Sequence, residues 1–174
     1  MTARLSLRRL IADCRGSAAV EMMLVTPILA LIMAGSAEMG RYFYQEHVLT
    51  KAVRDGAVFA ARYPIDKFNC TTNVVDPSIV TSTRSLVRTG ALSGGTDLLP
   101  WWTATSGVIF TMTVACTKVA NGTTLGGIYT ANGGNVPVLK IEATLPYQTM
   151  MSAAGFPGGA FNLNATEQAA VQGI

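Results

Sequence analysis

The sequence predicts an α+β protein: a long N-terminal helix, transmembrane in its first half, carries a small head domain built on an antiparallel sheet. Three observations favour this class. Residues 17–37 are apolar with one charge, helical spacing of apolar residues continues to Tyr63, and residues 64–174 are rich in Gly, Thr, Ser and Asn. Only 13% of the 174 residues are charged, which is typical of a membrane-anchored chain.

A basic segment precedes the apolar stretch and holds the whole net charge of the chain. The chain carries 13 Lys and Arg against 10 Asp and Glu, a net charge of +3. Four of the arginines and one of the aspartates lie within residues 1–16, so nine basic and nine acidic residues remain beyond it. Because the basicity belongs to this leader alone, the composition gives no support to nucleic-acid binding.

Residues 17–37 are predicted to cross a membrane as a helix. They span about 31 Å at 1.5 Å per residue, which matches the hydrocarbon core of a bilayer. Glu21 is the single charge in the stretch, and Pro27 removes one helical hydrogen bond and is expected to kink the helix. The arginines before the stretch place the N-terminus in the cytoplasm and the chain beyond about Glu38 outside it.

Two ordinary targeting segments compete with this interpretation. A cleaved signal peptide has a shorter apolar stretch and a small-x-small site at its end; Ala34–Ala37 is the nearest candidate, and the helical pattern continues through it. An uncleaved signal anchor fits the length. A carboxylate near the bilayer centre costs about 2.5–3.5 kcal/mol on insertion scales and gives a simple anchor no advantage. Glu21 therefore indicates a function.

The helix is predicted to continue outside the membrane over residues 38–63, until Pro64 disfavours helix at Tyr63. The aromatic run Tyr42–Tyr44 follows the apolar stretch, where interfacial aromatic residues are expected. Apolar residues then recur at three- and four-residue spacing and form an amphipathic face. Glycines along the helix permit close packing either within the subunit or between subunits, and both interpretations stay open. These glycines are Gly35, Gly40 and Gly56.

The head, residues 64–174, is predicted to hold one short helix and three strands. Asp76 is a suitable N-cap before a proline, and Gly90 a suitable stop, so the helix is expected over Pro77–Thr89. Alternation and β-branched residues place strands at about residues 107–116, 138–145 and 160–167. The pair Trp101–Trp102 is interpreted as aromatic packing under a loop, with an exposed interaction patch as the alternative.

Residues 15 to about 63 resemble the TadE-like family of minor pilins, or pseudopilins, of tight-adherence (Flp) pilus machines. Gly16 followed by Glu21 at the head of an apolar helix resembles the processing site of type IV pilin-like precursors. Glu38–Tyr44 resembles the family's Glu-x-Gly-Arg signature followed by aromatics, and Thr50–Ala57 resembles its small residues around an Arg-Asp/Glu-Gly-Ala core. The resemblance implies a pilin-like fold.

The resemblance also implies a chemistry for Gly16, Ser17 and Glu21. A membrane prepilin peptidase would cut after Gly16 on the cytoplasmic side and free an α-amino group on Ser17, which is cationic near neutral pH. The Glu21 carboxylate would then pair with the Ser17 amine of a neighbouring subunit, since an unpaired carboxylate is costly within a membrane. The partners implied are the peptidase, other pilin-like subunits, the inner-membrane assembly platform and the lipid bilayer.

Departures from the family's major pilins favour a minor subunit. Met22 stands where those pilins place an aromatic residue, and the chain is much longer than a major pilin. The expected location is the bacterial inner membrane, single-pass with a periplasmic head, or an extracellular pilus after assembly. We expect no enzymatic activity, cofactor or metal site. A type II secretion pseudopilin and an uncleaved, signal-anchored periplasmic binding domain remain alternatives.

The cysteines are consistent with cleavage after Gly16. Of the three, Cys14 would leave with the leader, and Cys70 and Cys116 would lie outside the cytoplasm, where disulfides persist. We expect these two to be bonded. The alternative is two unrelated buried thiols.

Overall fold

The computed structural model of the chain describes residues 17–99, 102, 108–118, 125–150 and 161–173. The chain divides into two compact units, Met1–Gly40 and Arg41–Ile174. One long helix, α1, covers Ser17–Ala60, and antiparallel strands form a two-stranded and a three-stranded sheet. The predicted α+β class is therefore confirmed.

Helix α1 ends at Ala60, three residues before the predicted end. The chain makes a turn there, because the amides of Arg62 and Tyr63 donate to carbonyls three positions back rather than four, each at 3.2 Å. A closing turn of this tighter kind is common at helix ends. Pro64 follows with an extended backbone, so the turn occupies the residues that its ring keeps from helix.

The described part of the second unit contains eight further elements in chain order. After a 3₁₀ turn at Ile65–Lys67 they are β1 (Phe68–Asn69), β2 (Val74–Val75), α2 (Pro77–Thr89), β3 (Ile109–Thr117), a 3₁₀ turn at Gly127–Asn132, β4 (Val136–Pro146) and β5 (Asn162–Ala170). The strands β1 and β2 form a small antiparallel hairpin that the sequence did not predict. Two residues per strand are too few to give a periodic pattern.

The main sheet has the order β3–β4–β5, with both pairs antiparallel. The three predicted strands are all present, with ends displaced by one to three residues. Strand β5 runs on to Ala170 because Ala170 still has a partner, Val138, on the longer β4. Strand ends are thus set by the partner strand, which local sequence does not report.

The outer half of α1 packs on one face of this sheet. Every second residue of β4 is buried, as expected for a strand with one face on a core. The shared core contains Leu49, Val53, Ala57, Leu139, Ile141, Leu145 and Leu163. Helix and strand β5 run side by side: the Tyr42 hydroxyl donates to the Asn162 carbonyl at 3.3 Å, and the Gln172 amide donates to the Ala61 carbonyl at 2.9 Å. Trp102 is buried, whereas Trp101 lies outside the described residues.

Helix α2 has the bounds that its capping residues predict. The Asp76 carboxylate accepts hydrogen bonds from the Ser78 hydroxyl at 2.7 Å and the Ser78 amide at 2.9 Å, which lowers the pKa of Asp76. Gly90 closes the helix with φ of 73°, a left-handed conformation in which glycine has no Cβ penalty. A bidentate ion pair from Arg88 to Asp97 then holds the following loop.

Cys70 and Cys116 form a disulfide, with their Cα atoms 5.5 Å apart and 46 positions apart in sequence. The bond confirms the predicted pairing. It joins the turn between β1 and β2 to the end of β3, so it ties the small hairpin to the main sheet. The hairpin has little core of its own, and the covalent link compensates for that.

Replacing both Cys70 and Cys116 by serine is expected to lower the free energy of unfolding by about 2–4 kcal/mol, because the loop closed in the unfolded chain is lost. Denaturant unfolding of the purified protein in detergent would measure this loss. Measured on protein that retains residues 1–16, Cys14→Ser is the matched control and should leave the midpoint unchanged. Two free thiols in protein taken from the periplasmic side, by non-reducing mass spectrometry, would contradict the pairing.

Candidate assembly and anchoring segment

The first part of α1 presents an apolar surface on all sides. Eleven large apolar side chains between Val20 and Met39 are 40–79% exposed. An 18-residue window has a mean hydropathy of 2.0 and none of it is buried. By length and composition the helix is able to cross a membrane. Exposed apolar surface of this extent marks contact with lipid or with another protein.

The two hydroxyls that the structure describes in this apolar segment, those of Thr26 and Ser36, are satisfied within the helix. Thr26 Oγ1 donates to the Met22 carbonyl at 2.6 Å, and Ser36 Oγ donates to the Ile32 carbonyl at 2.8 Å. Such bonds to the carbonyl four residues back meet the requirement that polar groups in hydrocarbon find partners inside the protein. The helix is continuous through Pro27, whose missing N–H leaves the Met23 carbonyl without its helical donor.

Glu21 is exposed and lies four residues after the start of α1 at Ser17. Residues four apart are neighbours on one helix face, so Ser17 and Glu21 share a face about one turn apart. Gly16 lies outside the described residues, as does the Ser17 side chain. The pairing of the Ser17 amine with Glu21 stays a prediction.

The three glycines of α1 separate into two kinds. A Cβ added at Gly56 would overlap Cγ2 of Val87 and lie 3.3 Å from Cγ2 of Thr83, so α2 packs directly on this glycine. A Cβ at Gly35 or Gly40 would meet nothing within 4 Å. Gly56 therefore serves packing within the subunit. For Gly35 and Gly40 the surface is open, which keeps the possibility of helix contacts between subunits.

The side chains of the aromatic run Tyr42–Tyr44 point in different directions. The Tyr42 ring packs edge-on against the Tyr147 ring at 5.2 Å between centroids. Phe43 and Tyr44 point outward and are 59% and 69% exposed. Tyr147 was not expected from the sequence as a partner of α1. Its position directly after the end of β4 is the signal that was available, because a strand end can contact a helix packed along the sheet.

No metal-binding group is found in the part of the chain that the structure describes, residues 17–99, 102, 108–118, 125–150 and 161–173. Within it no three His, Cys, Asp or Glu side chains are placed to hold an ion. His47 is exposed on α1.

Comparison with known families gives one match. The model of the TadE-like protein family matches residues 16–58, from Gly16 to within two residues of the end of α1. The match confirms the predicted resemblance over this segment. Searches among curated proteins and among solved structures found no significant similarity. Residues 17–58 of the matched region are helical, so the TadE-like pattern is a property of α1, and the head lies outside it.

Proposed function

We propose that this chain, with its TadE-like segment at residues 16–58, is a membrane-anchored minor pilin or pseudopilin of a tight-adherence (Flp) pilus system. The observation that carries the proposal is that the matched segment begins at Gly16 and includes Glu21. An exposed apolar helix surface of membrane-spanning length supports the same function. The role is structural: the subunit assembles into the pilus, or primes it, and so supports adhesion, biofilm formation or secretion.

Processing is the first step of the proposed mechanism. Hydrolysis of the amide bond between Gly16 and Ser17 consumes one water molecule, leaves a carboxylate on Gly16 and frees an amine on Ser17. At neutral pH this amine binds a proton, since α-amino groups titrate near 8. A positive charge then stands at the N-terminus of α1, one helical turn from Glu21.

Assembly is the second step. The Glu21 carboxylate is costly in a lipid environment while it has no counterion, and it gains a partner when the Ser17 amine of an adjacent subunit approaches. The gain is available at one axial offset between helices, so the pair selects the register of neighbouring subunits. The open helix surface at Gly35 and Gly40 permits the close approach that this register needs.

Sequencing of the mature N-terminus tests this function. Protein extracted from membranes of a host with a prepilin peptidase is expected to begin at Ser17, and Gly16→Leu is expected to accumulate as the uncut precursor because the peptidase needs a small residue at the cut. Gly35→Leu, in the same helix and away from the cut, is the control and should still be processed. An intact leader on the membrane-extracted parent chain would favour the uncleaved anchor and defeat the proposal.

A type II secretion pseudopilin would pass the same test. Co-purification distinguishes the two systems: the processed chain should be retained by the assembly platform of a tight-adherence system and not by that of a type II secretion system.

A further inference from the structure

Exposed apolar side chains gather at one end of the head. The strand register brings the start of β3, the end of β4 and the start of β5 together, since Ile109 lies opposite Thr144 and Asn162 opposite Pro146. The exposed residues at this end, here called the basal surface, are Phe43, Tyr44, Ile109 and Phe161, which are 59–69% exposed.

Described contacts join α1 to this end of the sheet. The Tyr147 amide donates to the Phe161 carbonyl at 2.9 Å and closes the end of the β4–β5 pair. Tyr42 then contacts both sides of the closure, with its ring 5.2 Å from the Tyr147 ring and its hydroxyl 3.3 Å from the Asn162 carbonyl. The basal surface is therefore held next to Tyr42.

Tyr42 is close in the chain to the apolar segment. It follows Ala37 by five positions, and five residues reach at most about 18 Å even when extended. If the apolar segment spans a bilayer, which is part of the proposed function, then chain length alone keeps Tyr42, Phe43 and Tyr44 near the membrane–water boundary.

Charge is sparse where β4 ends and β5 begins. Among the described residues there, none from Ala143 to Met150 or from Phe161 to Thr166 is charged, and a described cation, Arg84, lies 5.8 Å from the centre of the Phe110 ring at the start of β3. At the opposite end Lys67 and Asp76 form an ion pair at 3.5 Å. Exposed Tyr and Phe side chains are compatible with the headgroup layer of a bilayer, where such residues concentrate.

We propose that the basal surface lies in the outer interface of the bilayer, so that the head has a second membrane contact in addition to the helix. The occupant is lipid because the exposed side chains that define the surface are apolar or aromatic, and because Tyr42, which contacts this end of the sheet, is only a few residues from the spanning segment. Burial at the interface would hold the head in one rotational orientation about α1 before assembly, and extraction into a pilus would have to release it.

Site-specific fluorescence tests the contact. Processed chains that begin at Ser17, and therefore lack Cys14, each receive one cysteine. The positions are Phe161→Cys at the basal surface, Ile128→Cys at the opposite end and Met33→Cys in the apolar segment. Ile128 is a suitable control because it is 46% exposed and its neighbour Tyr129 bonds the Val171 carbonyl beyond β5. A nitrobenzoxadiazole label at each site is read in phosphatidylethanolamine–phosphatidylglycerol vesicles with nitroxide lipids near the headgroup. A non-reducing gel checks the Cys70–Cys116 bond.

The label at Phe161 is expected to be quenched roughly threefold more strongly than the label at Ile128, because interfacial groups enter ~5–10 Å into the headgroup layer. Equal, weak quenching at Phe161 and Ile128 with a lipid-embedded Met33 label would overturn this inference and leave the membrane anchor intact. A Phe161 label that is shielded from water yet not quenched by lipid would indicate a protein occupant, and would overturn it too. A water-exposed Met33 label would defeat the anchor itself and with it the inference.

Discussion

Glu21→Gln is expected to be cut after Gly16 like the parent chain and to enter the pilus-like assembly about tenfold less, or lower still. The amide cannot neutralise the Ser17 amine of a neighbouring subunit, and about 1.4 kcal/mol of lost pairing is already a tenfold change. Cleavage is unaffected because Glu21 lies beyond the scissile bond. The ratio of mature protein to precursor on an immunoblot measures cleavage, and the amount in sheared filaments or in the co-purified assembly measures incorporation.

Matched variants separate the charge at Glu21 from general acidity of the helix. Glu46→Gln removes a carboxylate from the same helix outside the apolar segment and should assemble normally. Glu21→Asp keeps the charge on a shorter side chain and should recover part of the assembly. If Glu21→Gln entered the assembly as well as the parent chain, Glu21 would have no pairing role, whether or not the chain is cut after Gly16.

Ser17 and Glu21 share a helix face, so two partners for the Glu21 carboxylate must be distinguished: the Ser17 amine of the same chain and the Ser17 amine of a neighbouring subunit. Zero-length carbodiimide cross-linking of assembled protein joins an amine directly to a contacting carboxylate. A peptide that links the Ser17 amine of one subunit to Glu21 of another is the expected product, and it should vanish in Glu21→Gln. A link found only within single chains would assign the pair to one subunit and remove its role in register.

Gly56→Val is expected to lower the free energy of unfolding of the head by about 1–3 kcal/mol or more, the usual range for overpacking a tight core. In an exposed helix the change from glycine would stabilise, since glycine costs about 1 kcal/mol relative to alanine. Here the added atoms overlap Val87 and crowd Thr83, both of which are fully buried on α2. The midpoint of thermal unfolding in detergent, followed by near-ultraviolet circular dichroism, measures the effect.

Two further variants make the Gly56 prediction specific to the contact with α2. Gly40→Ala, in the same helix with open space around it, should leave the midpoint unchanged or raise it slightly. The double variant Gly56→Ala with Val87→Ala should lose less free energy of unfolding than the two single variants lose in sum. The reason is that the space left by the Val87 methyl groups accepts the methyl group added at position 56. A Gly56→Val chain as stable as the parent would show that α2 moves aside. If the losses of stability in the double variant were additive, the strain would not arise from the contact between Gly56 and Val87.

Local sequence predicted the elements whose signals are local. The apolar stretch, the caps at Asp76 and Gly90 and the alternation along β4 each depend on residues that are close in the chain. The candidate site could be predicted from the sequence for the same reason, since Gly16, Ser17 and Glu21 lie within six positions. The two-residue strands β1 and β2 carry no such signal, and they form because each provides the hydrogen-bonding partner of the other.

What the sequence by itself determined is the plan of the chain: a basic N-terminal segment, an apolar helix with one carboxylate, a continuing helix and an α+β head. Only the tertiary structure decided which residues of α1 face the subunit. Gly56 packs on α2 whereas Gly35 and Gly40 are open, and Tyr42 turns to the sheet whereas its neighbours turn out. The physical reason is that a glycine or a tyrosine has the same local preferences at each position, and its role depends on atoms contributed by distant parts of the chain.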